Sequence, residues 1–159
     1  MEFRGMRRFK QQLSEEECRD ILIHEPRGVL SLNGDGGYPY GVPVDFLYDQ
    51  KSGKLYFHGA KDGHKVDALM KDPRASFCVY EKGCRKPDDW AYDVRSVICF
   101  GKIRPVEDED LAREMCYQIG IKYYPSEDMV QEELNHAFAR VLLLEFTIEH
   151  MTGKLVHER

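Results

Sequence analysis

Two glycines and several basic side chains lie close together in the stretch FHGAKDGHK, residues 57–65. A strand pattern precedes it and a short helix pattern follows, so Lys61, His64 and Lys65 would lie at a helix start. Cations are unfavourable there because a helix N-terminus carries partial positive charge, unless an anion binds. Gly59 and Gly63 would let backbone N–H groups approach that anion. The stretch predicts a phosphate site without a Walker pattern, although a solvated loop would explain the same residues.

His58 stands at the end of the predicted strand, next to this candidate phosphate site. An imidazole with a pKa near its usual value of about 6.5 can donate a hydrogen bond to an anion or to a substrate oxygen. His58 is therefore the candidate catalytic residue, and a structural histidine is the alternative. The histidines form no H-E-x-x-H pattern and the five cysteines form no C-x-x-C pair, so we expect no metal site.

Four aromatic residues are candidates for contact with a planar substrate. Tyr38 and Tyr40 flank a predicted strand, where their rings could stack on a ligand or donate a hydrogen bond. Trp90 and Tyr92 lie in a polar loop, residues 81–93, that could cover a pocket. Packing within a hairpin and exposure on a surface loop are the alternatives for these two pairs.

Composition limits the class of protein. The chain has 159 residues, which fits a single domain over 1–159, and a formal net charge of −5. This charge disfavours broad electrostatic binding to nucleic acid. No apolar run approaches the roughly 20 residues that span a bilayer, and the N-terminus lacks the apolar core of a signal peptide. We therefore expect a cytoplasmic protein that binds neither nucleic acid nor a membrane.

Strand patterns dominate the chain, and short helices lie between some of them. A capping box at Ser14 and Glu17 begins the first helix, which Pro26 ends. The second helix, residues 64–71, is expected to turn Val66, Leu69 and Met70 towards the core. Strands separated by turns predict a mainly β fold, an antiparallel barrel that is closed or half-closed. The predicted strands are 29–32, 40–48, 55–58, 75–80, 96–103 and 141–150; further helices begin near 107 and span 127–137.

The order of these elements carries a family resemblance. The segments GVPVDFLYD, LYFHGAKDGHKVDAL, ASFCVY and SVICFGKIRPVED resemble the flavin-binding split barrels related to pyridoxamine 5'-phosphate oxidase, and are most similar to the nitroimidazole-resistance (Nim-type) proteins. The most specific match is residues 57–65. The resemblance implies an antiparallel split β-barrel of the FMN-binding type, and a homodimer that holds FMN at its interface.

The resemblance also implies a role for each site residue. The FMN phosphate and ribityl chain would be surrounded by His58, Gly59, Ala60, Gly63, His64 and Lys65, with Lys65 as the direct phosphate partner. One edge of the isoalloxazine would lie along Val42, Pro43 and Val44. The second subunit would contribute Arg95, Ser96 and Val97.

The activity that the resemblance implies is an FMN-dependent oxidoreductase. Nim-type proteins are associated with reduction of the nitro group of 5-nitroimidazoles, so a small planar acceptor and an NAD(P)H donor are expected. Oxidation of vitamin B6 is not expected, because the chain ends HMTGKLVHER and lacks the R-L-x-P segment of the true oxidases. The alternative is a non-catalytic carrier or sensor that binds FMN, haem or a deazaflavin.

Overall fold

The computed structural model describes residues 2–158 of the chain. None of the described helices is both long and apolar enough to cross a membrane. In chain order the elements are α1 (Glu15–His24), β1 (Arg27–Asn33), β2 (Pro39–Asp45), β3 (Leu47–Asp49), β4 (Lys54–Ala60), α2 (His64–Lys71), β5 (Arg74–Tyr80), β6 (Cys84–Arg85), β7 (Tyr92–Pro105), α3 (Glu109–Tyr123), α4 (Glu127–Ala137) and β8 (Val141–Glu158).

The strands form one antiparallel sheet in the order β2-β1-β5-β7-β8-β4-β3, and the short β6 pairs with β7. The two ends of this order, β2 and β3, are separated in the chain by Phe46 alone. The sheet therefore curls until its two ends approach each other. A register shift between Phe100 and Gly101 adds local twist to the long β7–β8 pair. This architecture confirms the predicted mainly β split barrel with short flanking helices.

Aromatic side chains fill the interior of the barrel. Phe46 and Phe57 both meet Phe77 edge-on, with ring centroids 4.9 and 5.1 Å apart. Phe146 meets Phe57 in the same manner at 6.5 Å. All four rings are fully buried.

Helix α1 packs its apolar face against the sheet and begins at the predicted capping box. The Ser14 hydroxyl accepts from the Glu17 N–H at 3.2 Å, and the Glu17 carboxylate accepts from the Ser14 N–H at 2.8 Å. Cys18, Ile21 and Leu22 are buried, and their i, i+3, i+4 spacing places them on one face of the helix. The local signals were sufficient here because both the cap and the apolar stripe lie within one short segment.

Helices α3 and α4 form a second layer outside the barrel. Met115 and Ile119 of α3 pack on Tyr56 of β4 and Leu143 of β8. The helices approach closely at Gly120, where a Cβ would come within 2.5 Å of a methyl group of Val130. This layer covers the outer side of β4 and β8 and places α3 beside the bend at Phe46.

The bend between β2 and β3 is held by two residues at the end of α3. The Tyr123 hydroxyl accepts from the Phe46 N–H at 2.9 Å and lies 2.8 Å from the Phe46 carbonyl oxygen. The Lys122 ammonium donates to the carbonyls of Phe46 and Glu25, at 2.9 Å each. The backbone groups that a bend removes from the sheet ladder are thus satisfied by side chains.

Replacing Tyr123 by phenylalanine should destabilise this bend. The variant keeps the ring but leaves the Phe46 N–H without its partner, which costs about 1–2 kcal/mol for a partly buried backbone donor. Urea unfolding of Tyr123→Phe should show that loss, whereas Tyr124→Phe, at an exposed tyrosine, should stay within about 0.5 kcal/mol of the unchanged protein. Equal stability of the two variants would contradict this account of the bend.

One predicted core contact is wrong. Met70 is 67% exposed, whereas Ala68 and Leu69 are buried and Val66 is half-buried. The helix is rotated so that Ala68 takes the place expected for Met70. A helix of only two turns offers too few apolar residues for the sequence to fix its rotation about its axis.

Several boundaries also differ from the sequence prediction: the strand predicted over 40–48 is divided at Phe46, and the strand predicted over 96–103 is longer at both ends. The segment predicted as a loop, 81–93, contains β6, which pairs with the first residues of β7. Strand β8 continues eight residues beyond the predicted end at His150. The extension of β8 depends on its pairing with β7 over a long sequence separation, for example Tyr92 with Glu158. No local pattern could have indicated this extension.

Candidate functional site

The turn between β4 and α2 forms the centre of the candidate site. β4 ends at Ala60, and Gly63 precedes the helix with φ +114°, a conformation that favours glycine. Among the described residues, no side chain caps the start of α2. Its N-terminus therefore lacks the side-chain oxygen that caps α1 and α3, and is open to an anion from outside the chain.

Lys65 extends back from the first turn of α2 over the end of β4. Its Nζ lies 2.8 Å from the position that a Cβ would take at Gly59, so the absence of a side chain at Gly59 makes room for the ammonium. Burial lowers the pKa of Lys65, which is half-buried. No carboxylate among residues 2–158 forms an ion pair with it. A partly buried cation without a counter-ion is the arrangement that a bound phosphate would complete.

The side chain of His64 turns towards the β1–β2 hairpin. Its ring stacks on Tyr40 with centroids 4.0 Å apart, and its Nε2 lies 3.7 Å from a carboxylate oxygen of Asp35. Tyr40 is therefore part of this neighbourhood, whereas Tyr38 is 78% exposed. His64 therefore contributes its backbone, but not its ring, to the start of α2. The sequence could not show that the ring packs on a different segment.

His58 lies between the turn and a cavity of about 210 Å³ beneath α3 and α4. Residue 58 is solvent-exposed on the outer side of β4, yet enough protein surrounds the imidazole for burial to lower its pKa. The carboxylate of Asp45 opposes this shift, and the charge of Lys65 adds to it. His58 is thus favoured in its neutral form, with one ring nitrogen able to donate and the other to accept a hydrogen bond.

Strand β2 is one of the two end strands of the sheet, because it pairs with β1 on one side and with no strand of the described chain on the other. Val42 and Val44 are half-buried and pack against the core. Pro43 is exposed, as is typical of a proline in an edge strand. The three predicted flavin-edge residues therefore offer one outward side chain, that of Pro43.

The segment Arg95–Val97 lies in the middle of the sheet, on β7. The guanidinium of Arg95 binds the carboxylates of Glu81 and Asp20. Val97 is fully buried in the core, so only its backbone could reach a ligand. Ser96 is half-buried and occupies a position on the outer face of the sheet.

The predicted loop aromatics lie on the β6–β7 hairpin. Trp90 is 68% exposed, and Tyr92 packs beneath the guanidinium of Arg85, 4.6 Å from the ring centroid. No ring contact or hydrogen bond within the described chain joins either residue to the β4–α2 turn. Of the four predicted substrate aromatics, the structure brings only Tyr40 to the turn.

Comparison with known proteins identifies the family. The sequence profile of the pyridoxamine 5'-phosphate oxidase family matches residues 14–155, and this chain belongs to that family. No curated protein sequence matches the chain. The family assignment agrees with the split barrel.

Several solved structures share the fold. A proposed 5-nitroimidazole antibiotic resistance protein from Bacteroides thetaiotaomicron is 21% identical, with a TM-score of 0.74 over 92% of this chain and 87% of the other. An FAD-binding protein from Mesorhizobium loti is 24% identical, with a TM-score of 0.69 over 92% and 97%. An FAD- and haem-binding protein from Mycobacterium smegmatis is 22% identical, with a TM-score of 0.73 over 91% and 73%. At these identities the likeness establishes the fold.

Proposed function

We propose that this chain binds FMN at the β4–α2 turn. The observation that carries the proposal is the Lys65 ammonium, held over Gly59 at the uncapped start of α2 with no carboxylate partner in the described chain. A phosphate there would gain a charge-assisted hydrogen bond and the favourable end of the helix dipole. The remaining phosphate and ribityl contacts are assigned to His58, Ala60, Gly63 and the backbone of His64.

The comparisons support a flavin as the ligand. Two of the structures with the same fold are described as FAD-binding, one of them with haem as well. We choose FMN over FAD because a single lysine, Lys65, lies over Gly59 at the start of α2, which would match one phosphate group. We assign the isoalloxazine edge to β2, where Pro43 presents its side chain and Val42 and Val44 shape the strand.

A homodimer would complete the flavin site. Tyr80, Ile98 and Phe100 are 60%, 40% and 42% exposed and share the outer face of β5 and β7. The strand register continues this face in one row from Ile98 through Cys78 and Val29 to Pro43, next to the proposed flavin edge. Ser96 is part of the same face, beside Tyr80. A second copy packed on this apolar surface would bring its own Arg95–Val97 segment towards the flavin, and a dimeric mass in solution is the expected result.

We assign the holoprotein an oxidoreductase activity towards a small planar acceptor such as a nitroaromatic. Bound flavin would supply hydride and electron transfer between an NAD(P)H donor and that acceptor. The chain would contribute position and polarity. Lys65 and Gly59 anchor the phosphate, and the neutral imidazole of His58 can donate a hydrogen bond to an acceptor oxygen or hold a proton beside it.

The test is a steady-state assay of the flavin-loaded protein. We expect oxidation of NADH or NADPH to be stimulated by a nitroaromatic, and His58→Gln to lower kcat more than it lowers flavin occupancy. Bound flavin that neither nicotinamide reduces would contradict the oxidoreductase proposal and favour a carrier or sensor. One observation favours a carrier or sensor: a solved structure of the same fold is that of an FAD- and haem-binding protein.

A further inference from the structure

The cavity beside His58 shares only that residue with the proposed phosphate site, and its lining suggests a separate ligand. It lies between the barrel and the α3–α4 layer, with a volume of about 210 Å³. Ile119 and Val130 form part of an apolar wall with Leu134 and Phe138. Asp45 and His58 supply polar groups from β2 and β4.

The size of the cavity limits the ligand to a single ring. An engineered protein cavity of about 150 Å³ binds benzene, so a space of about 210 Å³ admits one aromatic ring with a small substituent. A flavin or a nicotinamide dinucleotide is much too large for it. The apolar wall favours the flat hydrocarbon part of such a ring over several ordered waters.

The charged residues that line the cavity are acidic, which favours a ligand that is not an anion. Two acidic residues line the cavity, Asp45 and Glu133, and no lysine or arginine of the described chain does. The Asp45 carboxylate is bound on one oxygen by Arg27, at 2.7 Å, which leaves its other oxygen as an acceptor. His58 is favoured in its neutral form and adds no positive charge. A ligand that donates hydrogen bonds is therefore matched, and a carboxylate is repelled.

We propose that this cavity binds a single-ring aromatic ligand that is uncharged or cationic and that directs its hydrogen-bond donors towards Asp45 and His58. The site goes beyond flavin binding and does not depend on it, since none of the residues of the cavity other than His58 belongs to the β4–α2 turn. The polar end of a ligand held there would contact the His58 imidazole, the same group that we propose to hydrogen-bond an oxygen of the electron acceptor.

Three probes of nearly equal shape and different charge test the proposal: benzamidine, benzamide and benzoate. Binding is measured at pH 7 by calorimetry or ligand-observed NMR on the full chain. We expect benzamidine to bind at least tenfold more tightly than benzoate, with benzamide between them. Equal binding of all three probes, or no binding of benzamidine and benzamide, would overturn the proposal.

Two variants locate the binding. Ala137→Phe places a ring in the cavity from α4 and should abolish benzamidine binding. Met129→Phe lies on the same helix at a residue that is 47% exposed and outside the cavity, so it should leave binding unchanged. Thermal melting identifies any variant that fails to fold. If Ala137→Phe does fail, Asp45→Asn replaces it, and it should reduce the preference for benzamidine over benzoate at least threefold. Unchanged selectivity or unchanged binding in these variants would place the ligand elsewhere and overturn the proposal.

Discussion

Lys65→Ala should weaken FMN binding about 10- to 100-fold, since a charge-assisted hydrogen bond contributes about 1.5–3 kcal/mol. The affinity loss is expected to be this large because Lys65 Nζ is already held over Gly59, so little ordering is required when phosphate binds. Lys61→Ala is the matched control. Lys61 belongs to the same turn but is exposed to solvent, and its removal should change the affinity less than about threefold.

Titration of each apoprotein with FMN, followed by flavin fluorescence, measures this difference. The affinity loss for Lys65→Ala should also shrink at high ionic strength less than that for Lys61→Ala, because the half-buried ammonium is screened less. Equal losses for the two variants would show that the phosphate does not lie at the start of α2. Melting curves without FMN should be similar for both, since neither lysine forms an ion pair in the described chain.

Glu145→Leu should produce the largest loss of stability. Glu145 is 3% exposed, and its carboxylate lies 3.1 Å from Lys54 Nζ, 3.0 Å from the Arg104 guanidinium and 3.1 Å from the Tyr56 hydroxyl. The variant leaves two cations and a hydroxyl without their acceptor. The expected cost is about 3 kcal/mol, the lower end of the range for a broken buried ion pair, because Lys54 and Arg104 both reach solvent.

Glu149→Leu is the control on the same strand. Its ion pair with Lys102, at 3.4 Å, is exposed on both sides and should contribute less than about 1 kcal/mol. Both free energies of unfolding can be measured with urea at pH 7. If Glu149→Leu cost as much as Glu145→Leu, the buried carboxylate would not have the role described here.

The free energy of unfolding at acidic pH gives a second test of the role of Glu145. Burial alone would raise its pKa, but the hydrogen bonds from Lys54, Arg104 and Tyr56 outweigh it and keep the pKa below the usual value of 4.5. A carboxyl group with a depressed pKa in the folded state stabilises the protein above its unfolded pKa and loses that contribution as the pH falls. The gap in stability between the unchanged protein and Glu145→Leu should therefore narrow below about pH 4.5.

The sequence predicted elements that are defined by local signals. Helix α2 matches the predicted range 64–71, and α4 matches the predicted range 127–137. The sequence did not predict contacts that depend on distant segments. Strand β8 owes its last eight residues to pairing with β7, and the orientation of Met70 depends on how a short helix settles on the sheet.

The candidate site likewise has one part that local sequence predicts and another that depends on distant segments. Residues 57–65 predicted the cradle because the glycines and lysines are adjacent in the chain, and the structure places Lys65 over Gly59. The stacking of His64 on Tyr40 joins segments 24 residues apart, and the cavity beside His58 is lined by α3 and α4, about 60 to 80 residues later. Periodicity predicts that such helices exist but not which surface of the barrel they cover.

The central claim, that the β4–α2 turn holds a flavin phosphate, is tested most directly by the visible absorption spectrum of the purified protein. The spectrum should be recorded before and after incubation with excess FMN or FAD and removal of free flavin. We predict that flavin absorption bands remain after desalting at about one FMN per chain, and that Lys65→Ala retains much less than Lys61→Ala. A colourless protein that keeps neither flavin would contradict the claim, and with it the oxidoreductase proposal.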